Sequence, residues 1–210
     1  LPGFHITPAY LRKYEQVLIH SAGAAAELRW AQDFIAQRRG RVGILEEAKA
    51  AGRLALVPIH GDPKVNNILW ADDQELAVAL VDLDTVQPGL VLYDLGDCLR
   101  SAANPLGEET RAWDQVRFDL ATCRALLEGY LEGAGGLRPA DQALLPEAVW
   151  LIAFELGLRF LTDYLAGNRY FRVQDPEHNL RRALVQLHLA ASIEEQWEDI
   201  RKLVQSLKTA

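Results

Sequence analysis

The chain has 210 residues, of which 50% are hydrophobic and 24% charged, and its formal net charge is -7. These proportions are those of a globular domain, so they exclude a chain that is disordered throughout. An acidic balance argues against a general nucleic-acid-binding protein, which would carry a basic stripe. No run of the sequence approaches the length of uncharged apolar residues that a membrane span needs, so we expect neither a nucleic-acid nor a membrane partner.

The N-terminus and the cysteines favour a cytoplasmic location. Residues 1–5 lack the basic and apolar regions of a signal peptide. Two cysteines, Cys98 and Cys123, do not make a disulfide framework. The sequence contains no methionine, and we therefore expect it to be a fragment of a longer protein.

The first 52 residues have the pattern of helices. Thr7 and Pro8 predict an N-cap followed by the first helical position, and this helix is expected to reach Gly23. A second helix should run to Gly40, and a third should cover about 42–51. Apolar residues recur at the helical period in this region: Leu11, Tyr14, Val17, Leu18, Leu28, Ala31, Phe34 and Ile35.

The middle of the chain alternates short apolar runs with polar segments. The apolar runs, which we expect to be strands, are 54–59, 68–70 and 76–81. Residues 71–75 should form the turn of a hairpin, and Gln87-Pro88-Gly89 predicts a further turn. The polar residues 60–67 and 82–84 each follow a strand-like run, so we interpret them as two functional loops.

Helical patterns return after the second loop. The predicted helices are 94–103, 110–133, 140–167 and 177–207. The expected fold class is therefore mainly α, or α+β, with a small β-hairpin element that carries the polar loops. A large central sheet would contradict this prediction.

Three polar residues of the middle region have the chemistry of phosphoryl transfer. Asp62 and Asn67 flank a tight loop, and Asp82 follows the next strand. The mouth of a hairpin can bring such residues together. One carboxylate would orient an attacking hydroxyl and accept its proton, while an amide oxygen and a second carboxylate would hold Mg²⁺ against nucleotide phosphates. Each residue alone could be ordinary loop chemistry, and it is their combination that favours catalysis.

The motifs of this region resemble those of the aminoglycoside phosphotransferase and choline kinase-like families of small-molecule kinases, which share the protein-kinase fold. The strings that carry this resemblance are His60-Gly61-Asp62 with Asn67, Val81-Asp82-Leu83-Asp84 and Tyr93-Asp94-Leu95-Gly96-Asp97. Longer strings are similar to the bacterial N-acetylhexosamine 1-kinase branch, and these are 61–67, 82–90, 2–5 and 157–164.

The resemblance implies roles for the polar residues. Asp62 would be the catalytic base on a sugar hydroxyl, and Asn67 and Asp82 would be the Mg²⁺ ligands. His60 would support the loop through hydrogen bonds. Asp84 would lie nearby, either at the sugar or in support of the loop.

Further residues have open alternatives at this stage. Arg159 and Tyr170 lie where the branch places sugar-contacting residues, but Arg159 could instead pair with Glu155 one turn earlier, and Tyr170 could be a half-buried packing residue. Asp94 is expected to cap a helix and to tie down the catalytic loop. Lys64 could meet a phosphate or lie in water.

The resemblance also implies ATP as co-substrate, Mg²⁺ as cofactor and a sugar acceptor, with N-acetylhexosamine phosphorylated at its anomeric hydroxyl as the expected case. These kinases hold ATP between two lobes, and the smaller lobe supplies a Gly-rich loop and a strand lysine. Residues 1–52 contain no such motif. We therefore expect 1–210 to be the helical C-terminal lobe, with the nucleotide lobe upstream. By itself this lobe should be inactive, because positioning supplies most of the rate enhancement.

Other functions compete with this interpretation. The acceptor could be an aminoglycoside, choline or homoserine. Residues 82–86 also resemble the nucleophile motif of haloacid-dehalogenase-like phosphatases, but the alternating strands and helices of that fold are missing downstream. A kinase-like fold used only for binding is a third hypothesis, and competent side chains at all three chemical positions oppose it. A metal hydrolase is the weakest alternative, because the five histidines are scattered.

Overall fold

The computed structural model describes residues 3–19, 25–72 and 76–207. The protein is mostly helical, with two small antiparallel sheets of two strands each. The predicted fold class is thus confirmed at the level of a mainly helical protein with a small β element, and the described residues contain no large central sheet.

The elements follow each other in the predicted order except for the strand Gln87–Gly89, which was predicted as a turn, and for the helices His178–Glu195 and Trp197–Ser206, which were predicted as one helix. The helices are α1 (Thr7–Leu18), α2 (Ala26–Arg38), α3 (Ile44–Ala50), α4 (Val91–Ala102), α5 (Leu120–Ala134), α6 (Pro139–Leu165), α7 (His178–Glu195) and α8 (Trp197–Ser206). The strands are β1 (Val57–Ile59), β2 (Ile68–Trp70), β3 (Ala77–Leu80) and β4 (Gln87–Gly89). None of the described helices is both long and apolar enough to cross a membrane.

The start of α1 differs from its prediction. Ile6 occupies the N-cap position and Thr7 is already helical. The Thr7 hydroxyl does not cap the helix, because it donates to the Glu155 carboxylate at 2.6 Å. The predicted end of this helix at Gly23 lies outside the described residues.

The C-terminal helices are shorter than predicted. Residues 110–119 were expected to be helical but contain only a 3₁₀ turn. Helix α5 begins after Asp119. The Asp119 carboxylate accepts from the N–H groups of Ala121 and Thr122 at 2.8 and 3.1 Å. An N-cap of this kind fixes where a helix can start. The predicted helix 177–207 is two helices that meet at Gln196.

The core forms around α6, which packs against α1, α4, α7 and α8. Most side chains of α6 are buried, among them Trp150, Phe154 and Leu158. A helix that is apolar on nearly all faces is stable only when other helices surround it. This helix is therefore the centre of the domain, and α4, which packs against both α6 and β1, connects it to the β elements.

The two sheets are separate antiparallel pairs, and only the strands of β2–β3 are consecutive in the chain. β2 pairs with β3, with a register irregularity between Leu69 and Trp70. β1 pairs with β4, so the prediction of a turn at 87–89 is wrong. In this pair Pro58 lies opposite Pro88. Because proline has no N–H, two prolines can lie opposite each other only at a pair that exchanges no hydrogen bonds. In an antiparallel sheet such pairs alternate with hydrogen-bonded pairs, so the hydrogen bonds belong to the pairs on either side.

Candidate functional site

The segment that follows β1, residues 60–67, is held by hydrogen bonds to its backbone. The Asp94 carboxylate accepts from the N–H of His60 at 2.7 Å and from the N–H of Gly61 at 2.8 Å. The Thr85 hydroxyl donates to the carbonyl oxygen of His60 at 2.7 Å. These contacts connect the segment to the first turn of α4 and to the loop after β3. We call residues 60–67 the Asp62 loop.

Asp94 has a different position from the one expected of a helix cap. The N-cap residue of α4 is Leu90, and Asp94 lies within the first turn with its carboxylate directed to the Asp62 loop. Burial raises the pKa of Asp94 above its ordinary value, although the two backbone N–H groups oppose this shift. Hydrogen bonds of this kind, to a carboxylate that is largely removed from water, rank among the stronger ones in proteins.

His60 connects the two polar loops. Its Nε2 lies 3.0 Å from the carbonyl oxygen of Val81, and its Nδ1 accepts from the N–H of Asp62 at 3.2 Å. A carbonyl can only accept, so Nε2 carries the proton and Nδ1 is the acceptor. The buried imidazole therefore fixes the spacing between the Asp62 loop and the end of β3.

Asp62 has two polar partners within its own loop. The amide nitrogen of Asn67 donates to the Asp62 carbonyl oxygen at 2.8 Å and to its Oδ2 at 3.3 Å. The Lys64 ammonium forms an ion pair with the same Oδ2. Because the nitrogen of the Asn67 amide is used on Asp62, its oxygen is the atom left to act as an acceptor or ligand.

Asp82 and Asp84 lie in the second polar loop. The N–H of Val81 donates to the carbonyl oxygen of Asn67 at 2.9 Å, which places Asp82 directly after a residue bonded to the Asp62 loop. Asp82 is exposed and has left-handed backbone angles, with φ 66° and ψ 60°. Asp84 is exposed in the 3₁₀ turn Leu83–Thr85.

A cleft of about 1320 Å³ opens beside the Asp62 loop. Asp62 and Lys64 line it, and so do Arg159 and Tyr170, which are about a hundred residues further along the chain. The structure therefore brings the proposed base and the two proposed sugar contacts to one cavity. The segment after α4, including Glu108, also lines the cleft.

Arg159 lies among aromatic rings. Its guanidinium carbon is 5.3 Å from the ring centre of Phe4, 5.0 Å from that of Tyr10 and 5.6 Å from that of Phe171. Contacts of a guanidinium with the faces of rings are attractive. The alternative of an ion pair with Glu155 is wrong, because that carboxylate bonds elsewhere and none of the described ion pairs joins the two residues.

Tyr170 is held by a turn that Asp163 organises. The Asp163 carboxylate accepts from three successive backbone N–H groups, those of residues 169, 170 and 171, at 2.8–2.9 Å. The Tyr170 side chain is 69% exposed, so the alternative of a half-buried packing residue is wrong. Its ring meets that of Phe171 edge-on, with 4.8 Å between the ring centres. The phenol is thus presented to the cleft on a fixed turn.

Sequence reasoning missed a buried polar cluster behind the Asp62 loop. His5, Thr7 and Glu155 are each at most 4% exposed, and His5 and Thr7 both bond to the Glu155 carboxylate. Glu155 was considered only as a partner of Arg159. The pattern could not reveal this cluster, since its members are about 150 residues apart and each looks like an ordinary helical or terminal residue.

Within residues 3–19, 25–72 and 76–207, no group of three or more His, Cys, Asp or Glu side chains is arranged around a common metal position. A Mg²⁺ site of a kinase would not require one. That ion usually takes one or two carboxylates and completes its shell with phosphate and water. The residues that the resemblance assigns to this ion are Asn67 and Asp82.

The fold and the site define a mostly helical protein with a polar loop that follows a short strand and faces a large cleft. A sequence model of the phosphotransferase enzyme family (APH) matches residues 1–144. This match covers more than half of the chain, and the chain belongs to that family. The predicted relationship to kinases of the aminoglycoside phosphotransferase type is thereby confirmed at the family level.

The family match also bears on the alternatives. It includes the Asp62 loop, the second polar loop and α4, whereas Arg159 and Tyr170 lie beyond it. The phosphatase alternative needs a parallel, doubly wound sheet, and the described residues contain only antiparallel pairs. That alternative is wrong, and transferase chemistry is the chemistry of this family.

Proposed function

We propose that this protein is an ATP- and Mg²⁺-dependent kinase that phosphorylates a hydroxyl of a small molecule, and that its acceptor is a sugar of the N-acetylhexosamine type, phosphorylated at the anomeric position. The observation that carries the proposal is the position of Asp62. Its carboxylate lies at the edge of the large cleft, on a loop whose backbone is fixed from several sides.

Asp62 would accept the proton of the attacking hydroxyl. Phosphoryl transfer depends mainly on positioning and charge stabilisation, so a base on a rigid loop is favourable. The contacts of His60 and Asp94 supply this rigidity. Lys64 neutralises Asp62 in the structure, and we propose that its ammonium turns to the transferred phosphate when nucleotide is present.

The donor set fits a magnesium ion. Asn67 offers its amide oxygen, since its nitrogen is engaged by Asp62, and Asp82 offers an exposed carboxylate. Hard oxygen ligands in this small number suit Mg²⁺. When bound, the ion would neutralise charge on the phosphates. The residues of the chain hold the two loops at a fixed spacing, through the bond between Val81 and Asn67.

The cleft favours a neutral acceptor with several hydroxyls. Arg159 and Tyr170 can both donate to hydroxyl or carbonyl oxygens, as a polyol or an acetamide group would require. Asp84 is exposed in the second polar loop and lies outside the lining of this cleft, so we propose that it supports the loop. The branch of the family to which the sequence is similar supplies the choice of N-acetylhexosamine.

We further propose that residues 1–210 form the larger lobe of the kinase and that a nucleotide-binding lobe covers the β elements. Large apolar side chains are exposed on and between these strands, and they are Leu56, Val57, Leu69, Trp70, Leu76, Val78, Leu80, Leu83 and Val86. An apolar patch of this kind marks an interaction surface. An adenine ring and a second lobe would bury it.

A panel of acceptors tests the proposal. The full-length protein is given Mg·ATP with N-acetylhexosamines, other sugars, choline, homoserine or aminoglycosides, and ADP release is followed. We expect turnover with N-acetylhexosamines and product that carries the phosphate at the anomeric oxygen. Preference for a cationic acceptor would overturn the sugar assignment. Binding of Mg·ATP without turnover of any acceptor would overturn the enzymatic role and favour the binding module.

A further inference from the structure

His5 is buried between the N-terminal segment, α6 and the Asp62 loop. It is 4% exposed and has a positive φ of 60°, which a residue with a side chain rarely adopts. Its Nδ1 lies 3.0 Å from the Glu155 carboxylate, and its Nε2 lies 2.8 Å from the carbonyl oxygen of Gly61. Strained backbone that persists in a buried place indicates surroundings that hold it firmly.

The two partners of the imidazole set its protonation state. A carbonyl oxygen only accepts hydrogen bonds, and so does an ionised carboxylate. With Glu155 ionised, both ring nitrogens of His5 donate, which makes the ring an imidazolium. The second oxygen of Glu155 accepts from the Thr7 hydroxyl at 2.6 Å, so the carboxylate is itself fixed. The result is a buried ion pair with its hydrogen bonds satisfied.

The carbonyl that His5 holds belongs to the peptide group between Gly61 and Asp62. The N–H of the same peptide group donates to Nδ1 of His60 at 3.2 Å. The preceding peptide group is fixed at its N–H by Asp94. His5 thus holds the carbonyl end of the peptide group that precedes the Asp62 side chain, and His60 holds its N–H end.

Gly61 can occupy this place because it lacks a side chain. Its φ is +86°, and a Cβ there would lie 2.8 Å from the carbonyl oxygen of Thr85. A glycine has more backbone conformations available than other residues, so the loop has little intrinsic rigidity at this position. External contacts must therefore supply the rigidity, and His5 is one of them.

We propose that His5 is a positioning residue for phosphoryl transfer, which as an imidazolium held by Glu155 fixes the Gly61–Asp62 peptide and thereby aims the Asp62 carboxylate into the cleft. This inference rests on the proposed function for the role of Asp62. His5 acts through Asp62 and is not itself the proton acceptor.

The surroundings of His5 support its positive charge. The titratable groups that face it are Tyr10 of α1, Tyr93, Asp94 and Asp97 of α4, and Glu155 of α6, while the Asp62 loop carries His60, Asp62 and Lys64. Burial by itself would lower the pKa of His5. The Glu155 carboxylate, the hydrogen bond to the Gly61 carbonyl and the charge of Asp97 together more than offset burial, and the pKa lies above its ordinary value.

Nuclear magnetic resonance of the ¹⁵N-labelled full-length protein tests the charge state directly. At neutral pH we expect two ring N–H protons on His5, both protected from exchange, and their signals should vanish in His5→Gln. The matched control is His188→Gln, because His188 is a half-buried histidine stacked on Trp30, 4.0 Å between ring centres. A single ring N–H on His5 would overturn the proposal that an imidazolium holds the Gly61–Asp62 peptide group. This includes the case in which the proton lies on Glu155.

Kinetics test the positioning role. We expect His5→Gln to lower kcat by about tenfold or more, because small displacements of a catalytic group are costly, while both KM values change little. The kcat of the wild type should fall as pH rises through the raised pKa of His5, and this alkaline decline should be absent in His5→Gln. A variant with wild-type kcat, or one that changes KM alone, would overturn the role.

Two further results separate this inference from the proposed function. If His5→Gln does not fold, Glu155→Gln takes its place, and we expect it to remove one ring N–H signal of His5 at neutral pH; retention of both signals would overturn the pairing. If the wild type turns over no acceptor, the proposed function fails. The two N–H signals would then still establish that His5 is an imidazolium bonded to Glu155 and Gly61, but its role in phosphoryl transfer would be overturned.

Discussion

Replacing Gly96 by alanine should weaken the protein through the contact between α4 and α6. A Cβ at this position would lie 2.8 Å from the carbonyl oxygen of Ala148 and 2.7 Å from Cγ1 of Ile152. Ordinary van der Waals contact begins at 3.4 Å. One of these neighbours is the backbone of a central helix and the other is a buried side chain that is 2% exposed, so neither can retreat cheaply.

Two opposing effects decide the magnitude. Alanine in a helix interior is favoured over glycine by about 1 kcal/mol. Overpacking of a core costs roughly 1–3 kcal/mol, and the upper end applies where backbone must move. The clash should prevail, and we expect the free energy of unfolding to fall by about 2 kcal/mol. Since α4 carries Asp94, a displaced helix should also lower kcat.

Urea denaturation measures the effect, with Gly129→Ala as the control. Gly129 is exposed within α5, and a Cβ there would have no neighbour within 4 Å. This control should gain up to about 1 kcal/mol from helix propensity alone. A Gly96→Ala variant as stable as the wild type, or as stable as Gly129→Ala, would refute the packing argument.

Three further predictions concern charge and reactivity. Asp62→Asn should retain the fold, as judged by circular dichroism, and lose nearly all turnover; a rate near that of the wild type would refute its role as base. Because the pKa of His5 is raised from 6.5, its contribution to stability should be fully present below pH 6.5 and be lost as pH rises through the raised value. Urea titrations should show this decline in the wild type, and a similar decline in His5→Gln would contradict it. Burial raises the pKa of Cys98 to about 11 and that of Cys123 to about 12. Cys123 is fully buried, so at about pH 8 it should react with iodoacetamide only after unfolding, whereas Cys98 lines the cleft and should react slowly in the native protein because its thiol stays protonated; rapid labelling of Cys123 in the native protein would contradict its burial.

Hydrophobic periodicity predicted the helices well where a long apolar face was present. Helix α6 is the clearest case, because its apolar residues continue over many turns and local pattern and burial agree. The segment 110–119 was wrongly predicted as helix. Its residues are compatible with a helix. The segment is non-helical because Asp119 caps the start of α5 and because the N–H of Asp119 donates to the carbonyl of Ala103.

Strand β4 shows a second limit of sequence reasoning. Gln87-Pro88-Gly89 has turn composition, and nothing local distinguishes a turn from a short strand at such a place. Its partner β1 lies some 30 residues earlier, so the strand exists only because the folded chain brings the two together. Weak local preferences of this kind are overridden by tertiary pairing.

The sequence by itself determined the mainly helical class, most of the order of the elements and the residues of the two polar loops, because these depend on patterns within a few turns of chain. Only the tertiary structure decided what those residues touch. It placed Asp62 and Arg159 in one cleft, gave Glu155 to His5 instead of Arg159, and left Tyr170 exposed on a turn fixed by its backbone. Such contacts join residues that are far apart in the chain, and their energies depend on burial and on competing partners, which no local pattern encodes.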